Sequence, residues 1–144
     1  SPAYPAPLPL MSNVRGHMNI VAQTNATNPT FALKACRRLD ATDYQTQLVL
    51  RSGGFAAEVD FWFDRQSLES TVVCLKEMQS AGVGNCKLSY QNEDPHVKFS
   101  GSALGHIAIT GLVSDGLQCL QFLVNTDQSA LPSLIAGLEE LLLK

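Results

Sequence analysis

The chain has 144 residues and a mass of 15.6 kDa, the size of one domain. With 45% hydrophobic and 16% charged residues, its composition is globular and too apolar for a disordered chain. A net charge of -3 supplies no basic field for gripping phosphate backbones, and no apolar run reaches the roughly 20 residues of a bilayer span, so bulk nucleic-acid binding and membrane spanning are disfavoured.

Residues 1–29 read as a tail. Ser1–Leu10 holds four of the seven prolines, and Arg15 is the sole ordinary charge before Lys34, a composition that favours extended, solvated backbone. The stretch lacks the charged start and unbroken apolar run of a signal peptide. Gly16-His17-Met18 looks like a cloning junction, so part of the tail reads as vector-derived. Residues 30–144 read as one domain.

From Phe31 the pattern becomes regular. Phe31, Leu33 and Ala35 alternate with more polar neighbours, and a second short run covers Gln45–Arg51. After Gly53-Gly54 comes the clearest strand, Phe55–Phe63, whose odd positions are Phe55, Ala57, Val59, Phe61 and Phe63 and whose even positions are Ala56, Glu58, Asp60 and Trp62. Strict period-two alternation packs one face on a core and leaves the other outward. Asp64 then offers an N-cap to a helix over Arg65–Ala81, in which Leu68, Val72, Leu75 and Met78 recur at three- and four-residue steps and Gly82 closes the run.

Strands are predicted over Lys87–Gln91, His96–Ser100, Leu104–Val113 and Leu117–Thr126, separated by turn-rich stretches. Ser129 can cap a final helix with Pro132 in its first turn and a stripe of Leu131, Leu134, Ile135, Leu138, Leu141 and Leu142. The order is therefore βββ-α-ββββ-α. Short turns between successive strands imply antiparallel pairing rather than crossovers. The expected fold is α+β: one twisted, mainly antiparallel sheet of about six or seven strands with both amphipathic helices packed on one face. No internal repeat is visible in the sequence.

Chemistry is sparse. Cys36, Cys74, Cys86 and Cys119 are spaced 38, 12 and 33 residues apart, with no C-x-x-C pair and no histidine at zinc-finger spacing. They read as reduced, small apolar residues, which suits a cytoplasmic location. His106, in Gly105-His106-Ile107, has no G-x-S-x-G elbow beside it. Gly101-Ser-Ala-Leu-Gly105 has no following Lys-Ser/Thr and leads into a strand, so it reads as a turn rather than a phosphate loop. No catalytic residue, cofactor or metal is expected.

Glu58, Asp60 and Trp62 stand out, projecting from one strand face about 6.5–7 Å apart. Three uses are open: a polar outer face, paired carboxylates for a cation or for glycoside chemistry, or a surface for a basic protein anchored by the tryptophan. Arg37-Arg38 is the only basic doublet and reads as edge-strand protection.

Three segments carry a resemblance. The run Leu50-Arg51-Ser52-Gly53-Gly54-Phe55-Ala56-Ala57-Glu58-Val59-Asp60-Phe61-Trp62-Phe63 resembles the early strands of the WapI-family bacterial immunity proteins. Gly105-His106-Ile107-Ala108-Ile109-Thr110-Gly111 is similar to a later strand of that family. Leu120-Gln121-Phe122-Leu123-Val124-Asn125-Thr126-Asp127-Gln128-Ser129, with Leu131-Pro132, resembles its closing strand and the start of its last helix.

Together these segments span most of residues 31–143. The resemblance implies a small cytoplasmic, non-enzymatic protein that binds and silences a cognate secreted or contact-delivered toxin, and it carries over no active-site residues. A small-molecule-binding or regulatory module on the concave side of the sheet is the alternative, and a homo-oligomer is compatible with either.

Overall fold

A computed structural model describes residues 17–24 and 31–144. The Pro-rich Ser1–Leu10 stretch lies outside those residues. The elements are β1 (Met18–Val21), β2 (Phe31–Arg38), β3 (Asp43–Ser52), β4 (Phe55–Asp64), α1 (Arg65–Ala81), β5 (Gly84–Tyr90), β6 (Glu93–Gly101), β7 (His106–Asp115), β8 (Gln118–Asp127), a 3-10 turn at Gln128–Ala130, and α2 (Leu131–Leu142).

The α+β class holds, but the single sheet does not. The strands form two four-stranded antiparallel meanders, β1-β2-β3-β4 and β5-β6-β7-β8. The extra strand is Met18–Val21, which sequence reading assigned to the tail. Its Ile20 is buried opposite Leu33 of β2. One short polar-flanked strand carries too little periodicity to be recognised, and it is its pairing that orders it.

The helices do not share one face of one sheet either. Each covers the open edge of a first strand. On β5, Ser67 Oγ of α1 accepts from the Ser89 N–H at 2.9 Å and donates to the Lys87 carbonyl at 3.2 Å, while Thr71 Oγ1 donates to the same carbonyl at 3.0 Å. On β1, the Gln23 N–H just past the strand donates to Ser133 Oγ of α2 at 2.9 Å. Side-chain hydroxyls thus satisfy the edge groups that a sheet would otherwise present to other strands. Gly137 lets α2 approach closely, since a Cβ there would meet Ile20 at 2.8 Å.

The two halves repeat. Adding 63 to the bounds of β3 and β4, Asp43–Ser52 and Phe55–Asp64, gives those of β7 and β8, His106–Asp115 and Gln118–Asp127. Asp64 and Asp127 then coincide, and each caps the helical turn that begins one residue later. Asp64 accepts from the Ser67 N–H at 2.9 Å, as its N-cap role predicts. Asp127, not Ser129, caps the second start by accepting from the Ser129 N–H at 2.9 Å.

One core serves both sheets. Phe31 of β2 meets Phe99 of β6 edge to face at 5.9 Å, and Tyr44 stacks on Phe63 at 5.4 Å. The helix stripes Leu68, Val72, Leu75, Met78 and Leu131, Leu134, Ile135, Leu138, Leu141 are buried as their spacing predicts. At β2 the alternation breaks. The register shifts between Lys34 and Arg37, Ala35 turns outward with φ 51°, and Cys36 takes the inward position. The Ala35 N–H is satisfied by Asn19 Oδ1 at 2.8 Å.

The cysteines also depart from expectation. Cys74 of α1 and Cys86 of β5 form a disulfide, adding a covalent tie where the helix covers the strand. Cys36 and Cys119 are free. Burial pushes the Cys36 thiol up to about 11, against the lowering effect of its bond to Thr46. No helix among the described residues is long and apolar enough to cross a membrane.

Candidate functional site

The site builds from the edge strand of the first sheet. β4 pairs with β3 over its whole length, placing Glu58 beside Val49, Asp60 beside Gln47 and Trp62 beside Gln45. Its inward residues Phe61 and Phe63 are fully buried, which fixes the register and turns the even positions out. Glu58, Asp60 and Trp62 therefore share one exposed face, as the alternation predicts, and Trp62 is 43% exposed.

Supporting contacts order that face. Gln47 Nε2 donates to Asp60 Oδ1 at 3.1 Å, and Arg37 donates to Gln45 Oε1 at 2.6 Å, so the residue beside Trp62 is itself anchored. Charge is distributed unevenly across the sheet. β4 contributes the carboxylates, while Lys34, Arg37 and Arg51 of β2 and β3 contribute cations to the same outer face.

The acidic stripe continues beyond the strand. Asp64 is at its end, beside Asp43 in the pairing, and Asp40 sits in the adjoining turn. Tyr90, at the end of β5, stands in the field of these groups: Asp43 first, then burial, Asp40 and Asp64 hold its phenol above the ordinary value of 10.0. Asp40 accepts from the N–H groups of Thr42 and Asp43 at 2.8 and 2.9 Å, which keep its carboxyl below 3.8. Trp62 and Tyr90 are thus two exposed aromatics among carboxylates. Sequence reading found the first and missed the second, because Tyr90 reaches the acidic turn only through the packing of one sheet against the other.

A groove of about 850 Å³ lies on the first sheet, with Val21, Ala32, Val49 and Ala56 among its apolar lining and Lys34, Arg51 and Glu58 among its charged residues. A second cleft, of about 470 Å³ and predominantly polar, lies at the start of α1. His106 belongs to neither. It lies on the second sheet, its Nε2 3.0 Å from Asn125 Oδ1, whereas Glu58 and Asp60 are on the first. Among the described residues no group of three or more His, Cys, Asp or Glu side chains is arranged to hold a metal ion.

No family model and no curated protein matches the chain. Among solved structures, one titled for MRP1/MRP2 of Trypanosoma brucei is similar over 96% of this chain and 94% of that chain, with a TM-score of 0.54 and 11% identity. At that identity the likeness shows the fold alone. It extends over both halves, so the paired four-stranded meanders with their helices form one architecture.

Proposed function

We propose that this is a non-enzymatic immunity protein that binds and neutralises a cognate toxin through the outer face of β4. The observation that carries the reading is the grouping of Glu58, Asp60 and Trp62 on one exposed face of an edge strand, continued by Asp43 and Tyr90. An aromatic anchor among carboxylates suits a basic protein surface: the ring supplies desolvated contact area and the charges steer encounter. The resemblance of Leu50–Phe63 to the WapI-family proteins supports the same reading.

The test is calorimetric binding to the toxin domain encoded beside the gene. The double variant Glu58→Lys with Asp60→Lys is expected to fold as the parent does and to bind about ten- to a hundredfold more weakly. Parent affinity should fall with added salt, and the variant's should fall much less. Unchanged affinity would remove this face from the reading.

Cytoplasmic residence belongs to the same proposal, and a thiol count on freshly isolated protein tests it. Four free thiols place the chain in a reducing compartment, and a closed Cys74–Cys86 pair places it in an oxidising one.

The groove on the first sheet favours a second reading, a module that binds a small amphipathic molecule. Its apolar floor flanked by Lys34, Arg51 and Glu58 has the character of such sites. Thermal stabilisation by a metabolite, with no gain from the toxin domain, would select it.

A further inference from the structure

We propose that the cleft at the amino end of α1 binds a phosphoryl group. The cleft lies between the first turns of the helix and β5, and its lining includes Asp64, Gln66, Ser70, Lys87, Ser89 and Asn92. Three features bear on it.

The first is an orphaned hydroxyl. Ser89 is 1% exposed, yet its Oγ has no hydrogen-bond partner. Its own N–H is already spent on Ser67 Oγ. A buried hydroxyl left unpaired costs stability, and a ligand oxygen in the cleft would satisfy it.

The second is a lysine of the lining, Lys87, that faces a like charge. Lys87 of β5 sits directly opposite Lys98 of β6, and Ser89 sits opposite His96 two residues along the same face. Like charges directly opposed weaken a sheet unless an anion lies between or across them. Among the described residues neither lysine is ion-paired; Lys87 Nζ reaches only the Asn92 carbonyl, at 3.4 Å.

The third is the helix itself. The 17 residues of α1 direct the positive end of their dipole at this cleft. Asp64, itself in the lining, already caps this start, and the Arg65 N–H is taken by the Thr42 carbonyl, so the helix contributes its dipole rather than free amides. Asp64 accepts from the Ser67 and Gln91 N–H groups, one on each oxygen, and Asp94 is paired with His96 at 2.6 Å. What remains in the lining is the Lys87 ammonium, held only by a carbonyl at 3.4 Å, and the buried Ser89 hydroxyl, and these are donors. A tetrahedral oxyanion, with several acceptor oxygens on one centre, meets them together.

The probe is inorganic phosphate, titrated into the full chain at constant ionic strength and read from backbone amide shifts. Saturable shifts centred on Ser67, Lys87 and Ser89 are expected. The variant Lys87→Gln should weaken binding about tenfold or more. Ser89→Ala separates a ligand role from a structural one: its hydroxyl has no partner to lose in the free protein, so the thermal midpoint should hold or rise while phosphate binding weakens.

Ribose 5-phosphate run in parallel distinguishes a phosphoryl group carried on a small molecule, which binds more tightly than phosphate, from free phosphate, which does not; either result keeps the site. Shifts that fail to saturate, that chloride reproduces, or that Ser89→Ala leaves unchanged while lowering the midpoint would overturn it.

Discussion

Phe63→Ala is expected to cost about 3–5 kcal/mol, lowering the thermal midpoint by roughly 10–20 °C. The ring has no exposed surface, stacks on Tyr44 at 5.4 Å and 7°, and meets Phe61 at 6.0 Å. Removing it leaves a void that neither neighbour can fill without giving up its own packing. Tyr44 is further constrained because Arg65 of α1 donates to its hydroxyl at 3.1 Å. The loss should therefore propagate to the start of the helix. Phe63→Leu, which keeps most of the volume, should cost only about 1–1.5 kcal/mol. Melting curves by circular dichroism compare the two, and similar midpoints would mean that the lost volume matters less than the ring stacking that both variants remove.

Gly111→Ala should cost about 2–3 kcal/mol, and more if the sheet cannot yield. A Cβ at this position would sit 2.4 Å from the His96 carbonyl oxygen and 2.7 Å from the Phe122 ring. The ring could swing aside, but the carbonyl belongs to the neighbouring strand, where Val97 pairs with Gly111. Relief requires β6 and β7 to separate. Phe122→Ala in the same chain should consequently fail to restore stability, because it removes only the softer of the two clashes. Rescue by that second change would show that the ring, not the backbone, sets the limit.

Much of this architecture is written in local pattern. The alternation of Phe55–Phe63 gives the register of β4 and places Glu58, Asp60 and Trp62 outward, and the stripe from Leu68 to Met78 gives the buried face of α1. Other features depend on partners distant in sequence. Met18–Val21 is a strand because Ile20 finds Leu33, and Ala35 is outward because the bulge hands its inward place to Cys36. The division into two sheets is not local either, since eight antiparallel strands joined by turns read the same whether or not the hydrogen-bonded ladder breaks at α1. The acidic stripe was half legible: its strand portion follows from period two, whereas Tyr90 and Asp43 come together only through tertiary packing.

The repeat was hidden for a related reason. Positions 63 residues apart share a role but not a residue: inward Tyr44 and Leu48 correspond to Ile107 and Gly111, and outward Asp60 to Leu123. Only burial pattern and hydrogen bonding reveal the correspondence.

That correspondence carries a consequence for how the molecule comes apart. The helix that ends the first half shields the opening strand of the second, and the helix that ends the second shields the opening strand of the first. Neither half keeps its own cover. An isolated β1–α1 fragment would leave β1 bare and the stripe of α1 without a floor, so autonomy is denied to both pieces. The exchange makes a chain built from two like units melt as one, with every probe reporting the same transition.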